Sequence, residues 1–141
     1  MSVETLDAAL TIAGAKKVWV GRGLSALVIV FLLMDSVMKL LAVPAVLEAG
    51  QSIGFPGASM NRSLGLLLLA CTALYIIPGT SVLGAILITA FLGGAVATHV
   101  RLGNPLFSHV LFGVYVGLLM WAGLGLRNPR LLSLIPVVRA S

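Results

Sequence analysis

The sequence predicts an all-α integral membrane protein, a four-helix bundle with both termini in the cytoplasm and a long outer loop between its first and second helices. Three observations predict it. Apolar residues make up 60% of the chain and charged residues only 9%, against about 25% charged in a soluble domain. Four apolar runs approach the roughly 20 residues that a 30 Å hydrocarbon core requires. Apart from Lys39, the basic residues flank those runs. At 141 residues the whole chain reads as one transmembrane domain, with no length left for a large extramembrane one.

The N-terminal stretch Met1–Ala15 holds Glu4 and Asp7 and no basic residue. It lacks a signal peptide's n-region and small-residue cleavage site, so the first span reads as an uncleaved signal anchor. That span is about residues 23–43, stopped by Pro44. The second is about 62–77, stopped by Pro78-Gly79; it is the shortest and sits partly in the interface. The third is about 82–100, with Thr80 and Ser81 as candidate N-caps. The fourth is about 105–126, with Asn104 as candidate cap and Pro105 at the first helical position. Pro78–Ser81 and Arg101–Asn104 are tight connections, so the second, third and fourth helices are antiparallel neighbours in turn. The long link from Pro44 to Asn61 opens with a stretch able to form a short interfacial helix, Pro44–Glu48. Gly54-Phe55-Pro56-Gly57 then breaks any helix.

Basic residues set the orientation. Lys16, Lys17, Arg22, Arg127, Arg130 and Arg139 fall on the side of the termini, against Arg62 and Arg101 opposite. With a net charge of +5, the partner for this excess is the anionic inner leaflet, because no compact basic cluster mixes with aromatics as nucleic-acid binding requires. Cys71 is the only cysteine, which excludes an intramolecular disulfide and every dithiol mechanism. Inside an apolar run it reads as a small hydrophobe. No nucleotide loop, HExxH motif, nucleophile elbow or haem signature is present.

Asp35 and Lys39 carry the functional argument. They lie four residues apart within the first span, on one helix face. Each costs roughly 2.5–3.5 kcal/mol to place at mid-membrane. Either they form an internal pair that orients the helix, or they wall a ligand or proton site. In the predicted topology Asp35, Lys39, His99 and His109 share the outer half of the bundle, with Glu48, Arg62, Arg101 and Asn104 in the adjoining connections. Their common depth points to an outer pocket, its mouth covered by Glu48 and Phe55, its floor formed by Phe31, Met38 and Phe91, and Tyr115 within reach. Histidine changes charge nearest neutral pH, so His99 and His109 suit acid–base or ligand-orienting roles; the bland alternative is two wetted imidazoles at helix ends. With Asp35 or Glu48 they make a conceivable two-His, one-carboxylate set, but the spacing matches no ligand motif and no metal is assigned. Arg62 and Arg101 either anchor headgroups or pair with a carboxylate or anionic ligand. Gly93-Gly94 and Gly113-x-x-x-Gly117 read as small faces for packing within the bundle, or else for a second copy of the chain. Trp19, Trp121 and Tyr75 read as belt or packing aromatics.

Several stretches carry a resemblance to a known family. They are Asp35-Ser36-Val37-Met38-Lys39-Leu40, Gly54-Phe55-Pro56, Leu64-Gly65, Ile77-Pro78-Gly79-Thr80 and Leu83-Gly84-Ala85. The most telling are Gly93-Gly94-Ala95-Val96-Ala97-Thr98-His99-Val100-Arg101 and Pro105-Leu106-Phe107-Ser108-His109. Across about Gly21 to Pro136 the chain resembles the DoxX-like family of small four-span bacterial membrane proteins. The resemblance implies an inner-membrane protein associated with thiosulfate:quinone oxidoreduction, redox stress or membrane assemblies. A wider similarity to four-helix membrane proteins that bind sterol-like or quinone-like molecules implies a small lipophilic ligand, read as quinone-like, and a redox partner protein. Two alternatives stay open: a membrane enzyme using Asp35, His99 and His109 for isomerisation or epoxide opening of a lipophilic substrate, and a structural subunit whose charges hold the bundle. Transport is disfavoured, because no repeat or continuous polar path appears.

Overall fold

The computed structural model describes residues 2–134. Arg139 and Pro136 lie outside the described residues. The elements are α1 (Val3–Leu40), α2 (Pro44–Ser52), α3 (Ala58–Ile76), α4 (Ser81–Arg101), a π-helical turn (Leu106–Val110), α5 (Phe112–Arg127) and α6 (Leu131–Leu134). Among these residues every regular element is helical, and four helices are long and apolar enough to cross a membrane.

Helix α1 starts at Val3, not Gly23. Hydropathy marks only the part matched to a bilayer, whereas helicity follows propensity. The segment Val3–Arg22 has no proline, and the strong helix former Ala is its commonest residue. Ser2 caps it by accepting from the Thr5 N–H at 3.4 Å. Its 38 residues span about 57 Å, nearly twice a ~30 Å hydrocarbon core. Residues 2–17 are all exposed. Trp19 is exposed, with the Arg22 guanidinium 5.2 Å from its ring centroid, an arrangement suited to the headgroup level.

The helix ends at Leu40, short of Val43. Ala42 turns the chain with φ 52°, a left-handed conformation that costs a non-glycine residue roughly 1–2 kcal/mol. Pro44 disfavours helical backbone at Val43 and starts α2 as its first residue. The predicted interfacial helix runs on to Ser52. Beyond it, Gly54 and Gly57 both sit at φ 88°, and Asn61 fixes the loop. The Asn61 amide is 2% exposed and donates to the Phe55 and Gly57 carbonyls at 3.3 and 3.0 Å. Helix α3 consequently begins at Ala58, ahead of Arg62. Neither Thr80 nor Ser81 caps α4 through its side chain; their hydroxyls donate to the Leu74 and Pro78 carbonyls, closing the α3–α4 turn instead.

The bundle is a ring in which α1 packs on α3 and α5, and α4 packs on the same two. Small residues set each crossing. A Cβ on Gly84 would fall on the Tyr75 backbone, and one on Gly65 would meet the Lys39 Cβ at 2.8 Å. Gly21 and Gly123 bring α1 and α5 together in the same way. Between the crossings lie Val28, Leu32, Leu68, Tyr75, Ala85, Ile88, Met120 and Leu124, and buried Cys71 packs among them as a small hydrophobe. Ser36, Thr72 and Thr89 bond back to carbonyls four residues earlier, so their hydroxyls need no water. Gly113 packs on Leu92 and Val96, but a Cβ on Gly93 or Gly94 would meet nothing within 4 Å. The expected inward packing of that pair is therefore corrected: its face is open.

Candidate functional site

The C-terminal end of α1, α2, the loop after it, the end of α4 and the π-helical turn all gather at one end of the bundle. Asp35 and Lys39 form an ion pair there, with side chains 31% and 19% exposed. The pair lies along α1 and does not tie that helix to another. The two side chains open on different spaces. Asp35 lines a cavity of about 160 Å³ with His99, His109, Phe31, Phe91 and Phe112. Lys39 lines a second, of about 380 Å³, with Phe55, Ile53, Leu64, Phe91 and His99. Phe91, Ala95 and His99, spaced one turn apart on α4, form the edge shared by both cavities.

The imidazoles of His99 and His109 stand with centroids 5.8 Å apart and planes at 64°. Asn104 does not cap the fourth span. Its amide Nδ2 lies 2.7 Å from His99 Nδ1. With the amide nitrogen donating, His99 Nδ1 accepts, which leaves Nε2 to carry the proton of a neutral ring. His109 Nδ1 is 2.7 Å from the Ser108 hydroxyl. Pro105 is also displaced from its expected role: it precedes the helix, and Leu106–Val110 form a wide π-helical turn before α5 begins. Such turns often occur at functional sites. This one carries His109, and no sequence signal marked it.

Phe31 and Phe112 meet edge to face at 5.5 Å. Both line the Asp35 cavity and also a groove between α1 and α5. The pair thus stands between the two spaces, with Phe112 47% exposed. Phe112 and Leu68 were not foreseen as lining residues; their position depends on how each helix is rotated, which an almost uniformly apolar sequence does not reveal.

Other candidates lie further off. Glu48 is exposed and lines neither cavity. Tyr115 is 42% exposed and lines neither, and Met38 is absent from both linings. Arg62 donates from Nε to the Leu40 carbonyl at 3.3 Å, closing the end of α1. Arg101 donates to the Ile53 carbonyl at 3.4 Å, holding the loop against α4. Among the described residues no group of three metal-ligating side chains is assembled. Trp121 donates from its indole to the Thr89 hydroxyl at 2.9 Å, a bond between α5 and α4.

No curated protein and no solved structure matches the chain significantly. The profile of the DoxX-like family matches residues 23–123, from the membrane half of α1 to α5, and includes every cavity residue above. With four apolar helices and that match over most of its length, the chain is a multi-pass membrane protein that belongs to the DoxX-like family.

Proposed function

We propose that this protein binds a small lipophilic, quinone-like molecule in the cavity between Asp35, His99 and His109, and serves membrane redox chemistry as an accessory subunit to a redox partner protein. The observation that carries the proposal is the lining itself. A carboxylate and two imidazoles meet three phenylalanines around one space, a mostly apolar pocket with a few convergent polar groups. The His99 Nε2–H suits a carbonyl oxygen. The excess of basic residues at the opposite end supports a non-cytoplasmic position for this end in a bacterial inner membrane.

Native mass spectrometry of gently solubilised protein, followed by solvent extraction, tests the reading. The expected result is a lipophile on the wild type that is lost from folded Asp35→Asn and His99→Ala variants. Phospholipid alone in every sample would overturn it.

The approach of His99 and His109 beside Asp35 favours a second reading, a membrane enzyme using acid–base chemistry on a lipophilic substrate. Turnover that persists in both Asp35→Asn and His99→Ala would remove it. A purely structural role for the charges draws less support, because the Asp35–Lys39 pair links no two helices.

A further inference from the structure

We infer that the 380 Å³ cavity beside Lys39 is a second binding site, for an alkyl-chain amphiphile with an anionic oxygen head, a carboxylate or a phosphate. It adjoins the Asp35 cavity, but its ligand is a different one and does not depend on the quinone reading.

Polarity in this cavity is graded along α4. Lys39, Thr98 and His99 line one end. Ala90, Phe91, Gly94 and Ala95 line the rest, with Leu64 of α3. From Ala90 to His99 the cavity follows about 13 Å of α4, at the roughly 1.5 Å rise per residue of an α-helix. Lys39 and His99 each lie in the last turn of a membrane-crossing helix. The polar end is therefore at the membrane surface, and the apolar end lies toward the middle of the bilayer. An acyl lipid in that leaflet has the same polarity in the same direction. Ala90 and Gly94 are exposed on the outside of α4, so a chain laid along them borders hydrocarbon on its open side.

The rim fixes the sign of the head. An ammonium carries three donors, and the Asp35 carboxylate engages one from Lys39. His99 Nδ1 is taken by the Asn104 amide, which leaves Nε2–H to offer. The Thr98 hydroxyl already donates to the Gly94 carbonyl at 2.8 Å. Among the described residues no carboxylate lines this cavity. Arg62 and Arg101 are held nearby on the Leu40 and Ile53 carbonyls, so with Lys39 three cations face the two carboxylates of this end, Asp35 and Glu48. A head that brings oxyanion acceptors matches this rim, through charge-assisted bonds from Lys39.

The test is calorimetric titration of the full chain in an uncharged detergent at alkaline pH, with a fatty acid, an alkyl phosphate and a fatty alcohol of one chain length. At least one anionic amphiphile should bind ~10-fold or more tighter than the alcohol, as a hydrogen bond to a charged group supports. Whichever anion binds tighter names the head. Lys39→Gln should remove most of that preference. Two neighbouring glycines supply a check that leaves the charges alone. A Cβ on Gly93 or Gly94 meets nothing within 4 Å, but only Gly94 lines this cavity, whereas Gly93 lines a groove beside Trp121. Gly94→Leu should therefore weaken binding severalfold and Gly93→Leu leave it unchanged, and this pair carries the test if Lys39→Gln does not fold. Equal binding of all three amphiphiles overturns the inference. So does a preference that persists in folded Lys39→Gln, or an equal effect of the two glycine variants.

Discussion

The two ends of the bundle use the same helices and nearly the same residue types, yet one is closed and the other holds space. At the closed end Gly21 and Gly123 let the α1 and α5 backbones touch, and a Cβ on either would lie within 2.9 Å of the opposite chain. Tyr75, fully buried, joins that end: its hydroxyl donates to the Met120 carbonyl at 3.1 Å and sits 3.0 Å from the Ser25 hydroxyl. The Arg127 guanidinium covers its ring at 5.1 Å. Tyr75 and Ser25 thus satisfy one another. At the open end phenylalanines hold the helices apart, and Asp35, His99 and His109 face a cavity. Polar groups in a membrane protein are costly at both ends. At the open end they face a cavity, whereas at the closed end the unpaired ones among the described residues, Arg127 Nε and Nη2, are buried against the protein.

The largest way to break this contrast is to pry the closed end apart. Gly123→Leu would drive a side chain into the Ser25 backbone, 2.9 Å from where its Cβ must sit. Overpacking of this kind costs about 1–3 kcal/mol, and a backbone wall places it at the upper limit. The expected outcome is a large drop in the thermal unfolding midpoint in detergent. Gly94→Leu, on the open face of α4, should leave that midpoint almost unchanged, because a Cβ there meets nothing within 4 Å.

A smaller effect comes from removing one hydroxyl. Tyr75→Phe deletes both bonds of the closed end while keeping the ring under Arg127. Interhelical hydrogen bonds in membranes average about 0.6 kcal/mol, up to about 1.7. Unfolding in a mild denaturing detergent should therefore shift by about 1 kcal/mol, with quinone binding retained. Loss of binding without loss of stability would show that the two ends are coupled.

Much of this arrangement was legible in the sequence, for reasons that also explain what was not. Pro44, Pro78-Gly79 and the apolar run lengths give the four membrane-crossing helices and their order, since both rest on local chemistry. The depth shared by Asp35, His99 and His109 follows from counting along antiparallel helices. Rotation about each helix axis does not follow. In a soluble bundle the polar face identifies the outside, but here lipid and core are both apolar, so the inward and outward faces of α4 read alike. That is why Gly93-Gly94 was expected inside, and why Tyr115 and Met38 were expected at the pocket. Asn104 reads as a cap, yet its amide bonds His99 five residues back. Trp121 and Tyr75 read as belt or packing aromatics and both pack, but their bonds to Thr89, Ser25 and Met120 reach 32 to 50 residues along the chain, and no local spacing encodes them.

The open end can be probed without disturbing the fold. Asp35→Asn neutralises one partner of a pair that lies within a single helix, while its amide oxygen can still accept from Lys39 Nζ. Stability should move less than in Tyr75→Phe while ligand affinity falls. A stability loss as large as that of Tyr75→Phe would mean that the open end is held together like the closed one.

The smallest and most local change is Asn104→Ala. Its amide touches no cavity and makes one bond, to His99 Nδ1. Removing it frees His99 to exchange its proton between Nδ1 and Nε2, while the imidazole and the cavity walls stay in place. The net worth of such a bond to the fold is about 1 kcal/mol, so the unfolding midpoint should drop slightly, and affinity for a ring bearing an acceptor oxygen should fall severalfold because part of His99 then carries its proton on Nδ1. Nitrogen NMR of labelled histidine separates this cause from others. Wild type should show His99 as the Nε2–H tautomer, and Asn104→Ala a mixture. If affinity falls while the tautomer stays fixed, Asn104 acts by holding the α4 end in place and His99 is not the donor. If the tautomer shifts and affinity does not, the ligand does not touch His99, and the polar rim of the open end reduces to Asp35 and His109.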